Sequence, residues 1–145
     1  MISIRPIARQ DKPAWAALWR RYLAFYETTL PDDVYDSAFD RLISGRDHEF
    51  CGFLACEDDV PVGLTHYLFH RHCWKIEDVC YLQDLYVDPE CRGGGAAAAL
   101  IEAVYAAADA AGAPAVYWMT QNFNTGGRRL YERVGKPTPF IRFNR

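Results

Sequence analysis

Hydrophobic positions along the chain change period several times, and each change marks an element. Ile2 and Ile4 alternate with polar residues and run into Pro6-Ile7, which predicts a short strand. Asp11 and Pro13 then open a helix in which Trp15, Leu18, Trp19, Tyr22, Phe25 and Tyr26 recur at helical spacing, a stripe best read as core packing. Pro31-Asp32-Asp33 starts a second helix with Tyr35, Ala38, Phe39 and Leu42 on one face, and Gly45 closes it. Phe50 to Cys56 and Val62 to Phe69 are apolar runs joined across Glu57-Asp58-Asp59, a hairpin pattern. A polar, aromatic-bearing connection, His70 to Asp78, leads to a third run.

That run, Tyr81 to Val87, begins the stretch YLQDLYVDPECRGGGAAAAL, around which the rest of the chain is organised. It predicts a buried strand, a turn through Asp88-Pro89, a glycine-rich bend and a long alanine-rich helix from about Gly94 to Ala111, ended by Gly112 and Pro114. A strand over 115–119, a short helix over 126–134 and a last strand over 140–143 complete the order β-α-α-β-β-β-α-β-α-β. This is a mixed α/β layer arrangement in a single domain, residues 1–145, with no repeat or linker.

Composition narrows the function classes. A net charge of -3 and the lack of a Lys/Arg tract give no attraction to nucleic acid. No apolar run has membrane-spanning or signal-peptide length. Five cysteines without a CxxC pair suggest neither a disulfide framework nor a zinc knuckle, so a reduced, cytoplasmic setting is expected. His66, His70 and His72 invite a metal, but four strand residues separate His66 from His70 by ~13 Å, and no metal is expected. Cys80 and Cys91 have no nameable base beside them, which argues against a cysteine nucleophile.

The glycines carry the chemistry. Arg92-Gly93-Gly94-Gly95 leaves backbone N–H groups uncovered, and the helix that follows points its positive end the same way, a combination that binds phosphate. Gly93-x-Gly95-x-x-Ala98 matches a dinucleotide fingerprint only formally. It does not follow the first strand, and the next strand, AVYWMTQN, has no acidic residue. A P-loop would need a Gly-Lys-Ser/Thr ending, which is missing.

Arg92-Gly93-Gly94-Gly95-Ala96-Ala97 resembles the signature of the GNAT superfamily of acyl-CoA N-acyltransferases, Arg/Gln-x-x-Gly-x-Gly/Ala between a strand and a helix. Asn124-Thr125-Gly126-Gly127-Arg128-Arg129-Leu130-Tyr131-Glu132 resembles that family's later motif, and the element order agrees from end to end. The wording YLQDLYVDP looks most like the diamine and histone/polyamine-type branches. Gly127 stands where the family usually has Ala, Lys136 where Phe is common, and Gln83 where the polyamine branch has an acid.

The resemblance implies a mixed, mostly antiparallel sheet of six to seven strands flanked by about four helices. It implies acetyl-CoA as donor and a primary amine (polyamine, amino acid or lysine-like) as acceptor, with direct attack in a ternary complex. Amides of Gly93, Gly94, Gly95, Ala96 and Ala97, with Arg92, would hold the pyrophosphate, and backbone groups of Leu85, Tyr86 and Val87 the pantetheine arm. Asn124 and Arg128 complete the cofactor set. Tyr131 would protonate the departing thiolate, and Asp84, with His70 in reserve, would take the proton of the amine. Glu27, Asp32, Asp33, Glu77 and Asp78 with Trp15, Tyr26 and Trp74 are candidates to hold a cationic acceptor. A homodimer is expected by the same resemblance. The competing class is a catalytically silent acyl-CoA-binding regulatory module.

Overall fold

The computed structural model describes residues 1–145. Five strands form one sheet in the order of the chain: β1 (Ile2–Pro6), β2 (Cys51–Glu57), β3 (Val60–His70), β4 (Val79–Val87) and β5 (Val116–Tyr117). The first four are antiparallel neighbours, and β5 joins β4 in parallel. Helices α1 (Lys12–Phe25) and α2 (Asp32–Leu42) lie between β1 and β2 in sequence, α3 (Ala96–Ala110) between β4 and β5, and α4 (Thr125–Val134) after β5. The sheet therefore has five strands rather than six or seven. The strand predicted over 140–143 does not form, and Phe140, Ile141 and Phe143 are exposed on an irregular tail.

Local chemistry accounts for the elements. The β2–β3 hairpin turns on Asp58 and Asp59, both at positive φ (48° and 68°). A two-residue loop needs that conformation to match the strand twist, and Asp tolerates it. On one face of the sheet Trp15, Leu18, Trp19, Phe39, Leu54 and Leu64 build a core under α1 and α2. On the other, Ile101 and Val104 of α3 pack with Tyr67 and Leu82. Alanines at 96 and 108, both buried, let α3 approach the strands closely.

The register of β3 against β4 slips once. His66 stands opposite Asp84 and Tyr67 opposite Leu82, so Gln83 is an extra, unpaired residue, a β-bulge. Alternation would otherwise put Leu82, Asp84 and Tyr86 on one face. The bulge splits them: Leu82 packs under α3, while Asp84 meets His66 and Tyr86 joins the core under α1 and α2. One inserted residue thus re-aims a carboxylate.

At the start of α1, Asp11 does not cap the helix as predicted. Its buried carboxylate takes two hydrogen bonds from the Arg5 guanidinium, 2.7 and 2.8 Å, and one from the amide of Ala8 at 2.7 Å. The Arg5 hydrogen bonds hold the Asp11 carboxyl below its ordinary value, against burial, with the Ala8 amide assisting. A depressed carboxyl adds stability above its unfolded-state pKa, and that stability is lost as pH falls through the folded value. Asp11→Asn is expected to cost about 1–3 kcal/mol at pH 7. Urea melts at pH 7 and pH 3 should show the penalty shrinking in acid.

Candidate active site

Two openings meet on β4. β5 accompanies β4 only at Cys80 and Tyr81, and beyond that pair the far edge of β4 has no strand beside it. The amide of Asp88 donates to Val62 O, towards β3. The two-residue alternation of an antiparallel ladder therefore turns Tyr86 towards β3 as well, and Leu85 and Val87 towards the open edge. Of the three residues assigned to a pantetheine arm, only Leu85 and Val87 offer backbone groups there. Tyr86 is instead a buried side chain under α1.

The open edge leads to the glycine bend. Gly93 and Gly95 hold φ of 90° and 86°, the left-handed region, and a Cβ on either would project into open space. Gly95 is the N-cap of α3, and no side chain caps that end. The first-turn amides, including Ala96 and Ala97, are left for a ligand, at the positive end of a helix 15 residues long. Gly94 continues the same bend, and Arg92 stands before it, its Nε donating to Val87 O at 3.2 Å. The donor set fits a diphosphate.

Two residues of the second motif do other work. Asn124 caps α4: its Oδ1 accepts from the Gly127 amide at 3.2 Å, and its Nδ2 donates to Thr120 Oγ1 at 3.0 Å. A Cβ at position 127 would lie 2.5 Å from Asn124 Nδ2, so glycine there makes room for the cap instead of loosening the helix. Arg128 is tied to Asn122 O at 3.1 Å and pairs with Glu132 at 3.6 Å. Tyr131 is half-buried against Trp118. Burial, then Tyr26, pushes its phenol above the ordinary value, with Arg92 opposing. It therefore stays protonated at neutral pH.

The second opening is a cleft of about 520 Å³ between α2 and the sheet, with Trp19, His66, Gln83 and Asp84 among its lining residues. Asp84 is held by a buried chain of hydrogen bonds. The indole N–H of Trp15 donates to His66 Nε2 at 2.8 Å, and His66 Nδ1 meets Asp84 Oδ2 at 2.8 Å. An indole can only donate, so His66 Nε2 must be the acceptor and the imidazole proton sits on Nδ1, donated to the carboxylate. Both ring nitrogens are thereby occupied, and His66 orients Asp84 without being able to act as a base itself.

Between the openings stand tyrosines of α1. Burial, then the charge of Asp84, pushes the Tyr22 phenol far above its ordinary value, and Tyr26 and Tyr131 contribute in the same direction. Asp84 of β4 and Tyr131 of α4 thus both act electrostatically on Tyr22 of α1. The stripe read as core is divided: Trp15, Leu18 and Trp19 are core, Tyr22 is partly buried against it, and Phe25 and Tyr26 are exposed. Sequence reasoning missed Tyr22 because its spacing is that of its buried neighbours.

Other candidates are dispersed. The neutral His70 ring donates from Nδ1 to Arg71 O at 2.8 Å and accepts at Nε2 from Tyr117 Oη at 2.7 Å, in a separate cavity with His72, which removes it as a reserve base. Trp15 is fully buried and Trp74 lies exposed on a loop, so they do not form one cage. Of the five acids proposed for a cation, Asp33 lines the cleft, and Asp78 is engaged by His48 and Arg71. No group of three or more His, Cys, Asp or Glu side chains is arranged to hold a metal. Burial pushes the Cys80 thiol up to about 12, which leaves it inert as a nucleophile.

Residues 14–135 match the model of the acetyltransferase (GNAT) family. The chain belongs to the GNAT acetyltransferase family. It is an N-acetyltransferase by that membership and by its likeness to the D-amino-acid N-acetyltransferase HPA3 of Saccharomyces cerevisiae, 36% identical over 99% of this chain and 90% of that protein. The N-acetyltransferase YhfO of Bacillus subtilis is 26% identical over 98% of this chain and 95% of its own length. In fold, the GNAT chain superposes on the aminoglycoside N-acetyltransferase AAC(6')-Iy, solved with a CoA bisubstrate analogue, with a TM-score of 0.87. That pair shares 21% identity, covering 100% of this chain and 97% of the other.

The cradle can be tested apart from turnover. Gly95→Val forces a β-branched side chain into left-handed backbone and covers the first amides of α3. It should raise the Kd for CoA at least about tenfold by calorimetry, the loss of roughly one charge-assisted hydrogen bond. Thermal unfolding of the ligand-free protein gauges the strain separately.

Proposed function

We propose that this N-acetyltransferase moves an acetyl group from acetyl-CoA to the primary amine of a small acceptor, an amino acid, by direct attack in a ternary complex. The observation that carries the reading is the buried Asp84 carboxylate, held by His66 at 2.8 Å on the lining of the cleft and next along β4 to the open edge at Leu85 and Val87. The relative from Saccharomyces cerevisiae is named for D-amino acids, and this favours an amino acid over the polyamine suggested by the wording of β4.

The donor's diphosphate fits the amides of Gly93 to Ala97 with Arg92, and its pantetheine arm the backbone groups of Leu85 and the amide of Val87. An amide of that edge polarises the thioester carbonyl. An alkyl ammonium titrates near ~10.4, so the acceptor must lose a proton before attack. Asp84 takes it, directly or through water, with its Oδ2 fixed by His66. The amine nitrogen bonds to the carbonyl carbon, the C–S bond breaks with its electron pair staying on sulfur, and the nitrogen gives up a second proton to water as the amide forms. Tyr131, kept protonated by burial, supplies a proton to that sulfur. The reading also includes a cytoplasmic setting, where five unpaired thiols stay reduced, and a homodimer using the exposed apolar tail.

Asp84→Asn keeps an acceptor for the His66 proton and removes the base. It should lower kcat about 10²–10⁴-fold while CoA binding is preserved. Tyr131→Phe should lose less, because a thiolate leaves readily. Release of CoA thiol over a panel of amino acids, polyamines, aminoglycosides and lysine peptides checks both variants. Tight acetyl-CoA binding with no release on any acceptor would instead support the silent acyl-CoA-binding module.

A further inference from the structure

The cleft above Asp84 is walled by one face of α2, since Asp33, Val34, Ser37, Ala38, Arg41 and Leu42 recur at three- and four-residue intervals. Two features of this cleft have no part in proton removal or acetyl transfer. Arg41 is the only cationic side chain on its lining and makes no ion pair or side-chain hydrogen bond, although Asp36 and Asp40 share its helix. Trp19, also on the lining and 8% exposed, has a fully enclosed Nε1 with no acceptor on the protein. A buried N–H without a partner is costly, and an acceptor atom on a ligand would relieve it.

Their placement relative to the base is informative. The Trp19 ring is 5.7 Å from that of His66, whose Nδ1 is 2.8 Å from Asp84. The Trp19 ring therefore stands about one side chain away from the Asp84 carboxylate. A cavity of 520 Å³ is about 10 Å across, so Arg41 at its mouth reaches the same small ligand. A guanidinium here repels the second ammonium of a polyamine and attracts an anion.

We propose that Trp19 and Arg41 form the subsite for the acceptor's carboxylate, so that the acceptor is an α-amino acid with an apolar side chain. The inference rests on acetyl transfer to an amine at Asp84. One carboxylate oxygen takes the Arg41 guanidinium and the other the Trp19 N–H, which a turn of the indole towards the cleft uncovers, while the amine faces Asp84. The side chain lies against Leu30, Val34, Leu42 and Phe50, the apolar part of the lining.

The test compares three acceptors with the full-length protein and acetyl-CoA: phenylalanine of either hand, phenethylamine (the same molecule without its carboxylate) and spermidine. Arg41→Ala, an exposed change in the last turn of α2, should lower kcat/KM for phenylalanine about 10–100-fold, chiefly through KM. Phenethylamine should be unaffected. Arg41→Lys should recover part of the loss, and Trp19→Phe, which keeps the aromatic core, should again weaken phenylalanine selectively. Equal losses on both acceptors, or none on phenylalanine, would overturn the subsite. Wild-type turnover of spermidine but of no amino acid would overturn the subsite and leave acetyl transfer to amines standing. Absence of turnover with every amine would overturn the transfer reading itself.

Discussion

One strand, β4, is hydrogen-bonded along the whole of one edge and abandoned along most of the other. This asymmetry governs the molecule. The paired edge fixes the register that sets Asp84 opposite His66, and the abandoned edge leaves the backbone groups of Leu85 and the amide of Val87 without a strand to pair with. Backbone groups in such a place need partners, and an extended ligand supplies them as a missing strand would. The same strand then runs into the glycine bend, so the cradle for an anion and the slot for the arm attached to it are consecutive in sequence.

The bulge at Gln83 couples this slot to the second opening. Without it Asp84 would face α3 beside Leu82, and the cleft under α2 would have no carboxylate at its floor. With it, Asp84 belongs to the cleft while the backbone of the neighbouring Leu85 belongs to the open edge. The Trp15–His66–Asp84 chain then removes the remaining freedom. A donor-only indole dictates the imidazole tautomer, the tautomer dictates which carboxylate oxygen is occupied, and the whole chain is buried.

What could be read from the sequence was local. The hairpin at Asp58-Asp59, the helix following three glycines and the spacing of Leu130-Tyr131 are each carried by a few neighbouring residues, and each stands where expected. What could not be read depends on distant pairing. His66 and Asp84 are 18 residues apart, and only the slipped register of β3 and β4 brings them together. Trp19 is a core residue by its helical spacing, and only the path of α2 puts it on the lining of the cleft as well. The tail over 140–143 has strand-forming residues, yet β-propensity without a neighbouring strand does not make a strand. Asn124 read as a cofactor ligand because it stands in a motif. Its cap on α4 is a local hydrogen bond that the same residues encode equally well.

The central claim is that a CoA thioester lies along the free edge of β4 with its diphosphate on the first amides of α3. Backbone amide NMR of the protein titrated with CoA tests this most directly. Large shifts are expected at Leu85, Val87, Gly95, Ala96 and Ala97, with Tyr86, turned to β3, little changed. Shifts confined to α2 and the cleft around Ser37, or a Tyr86 response as large as those of its two neighbours, would contradict it.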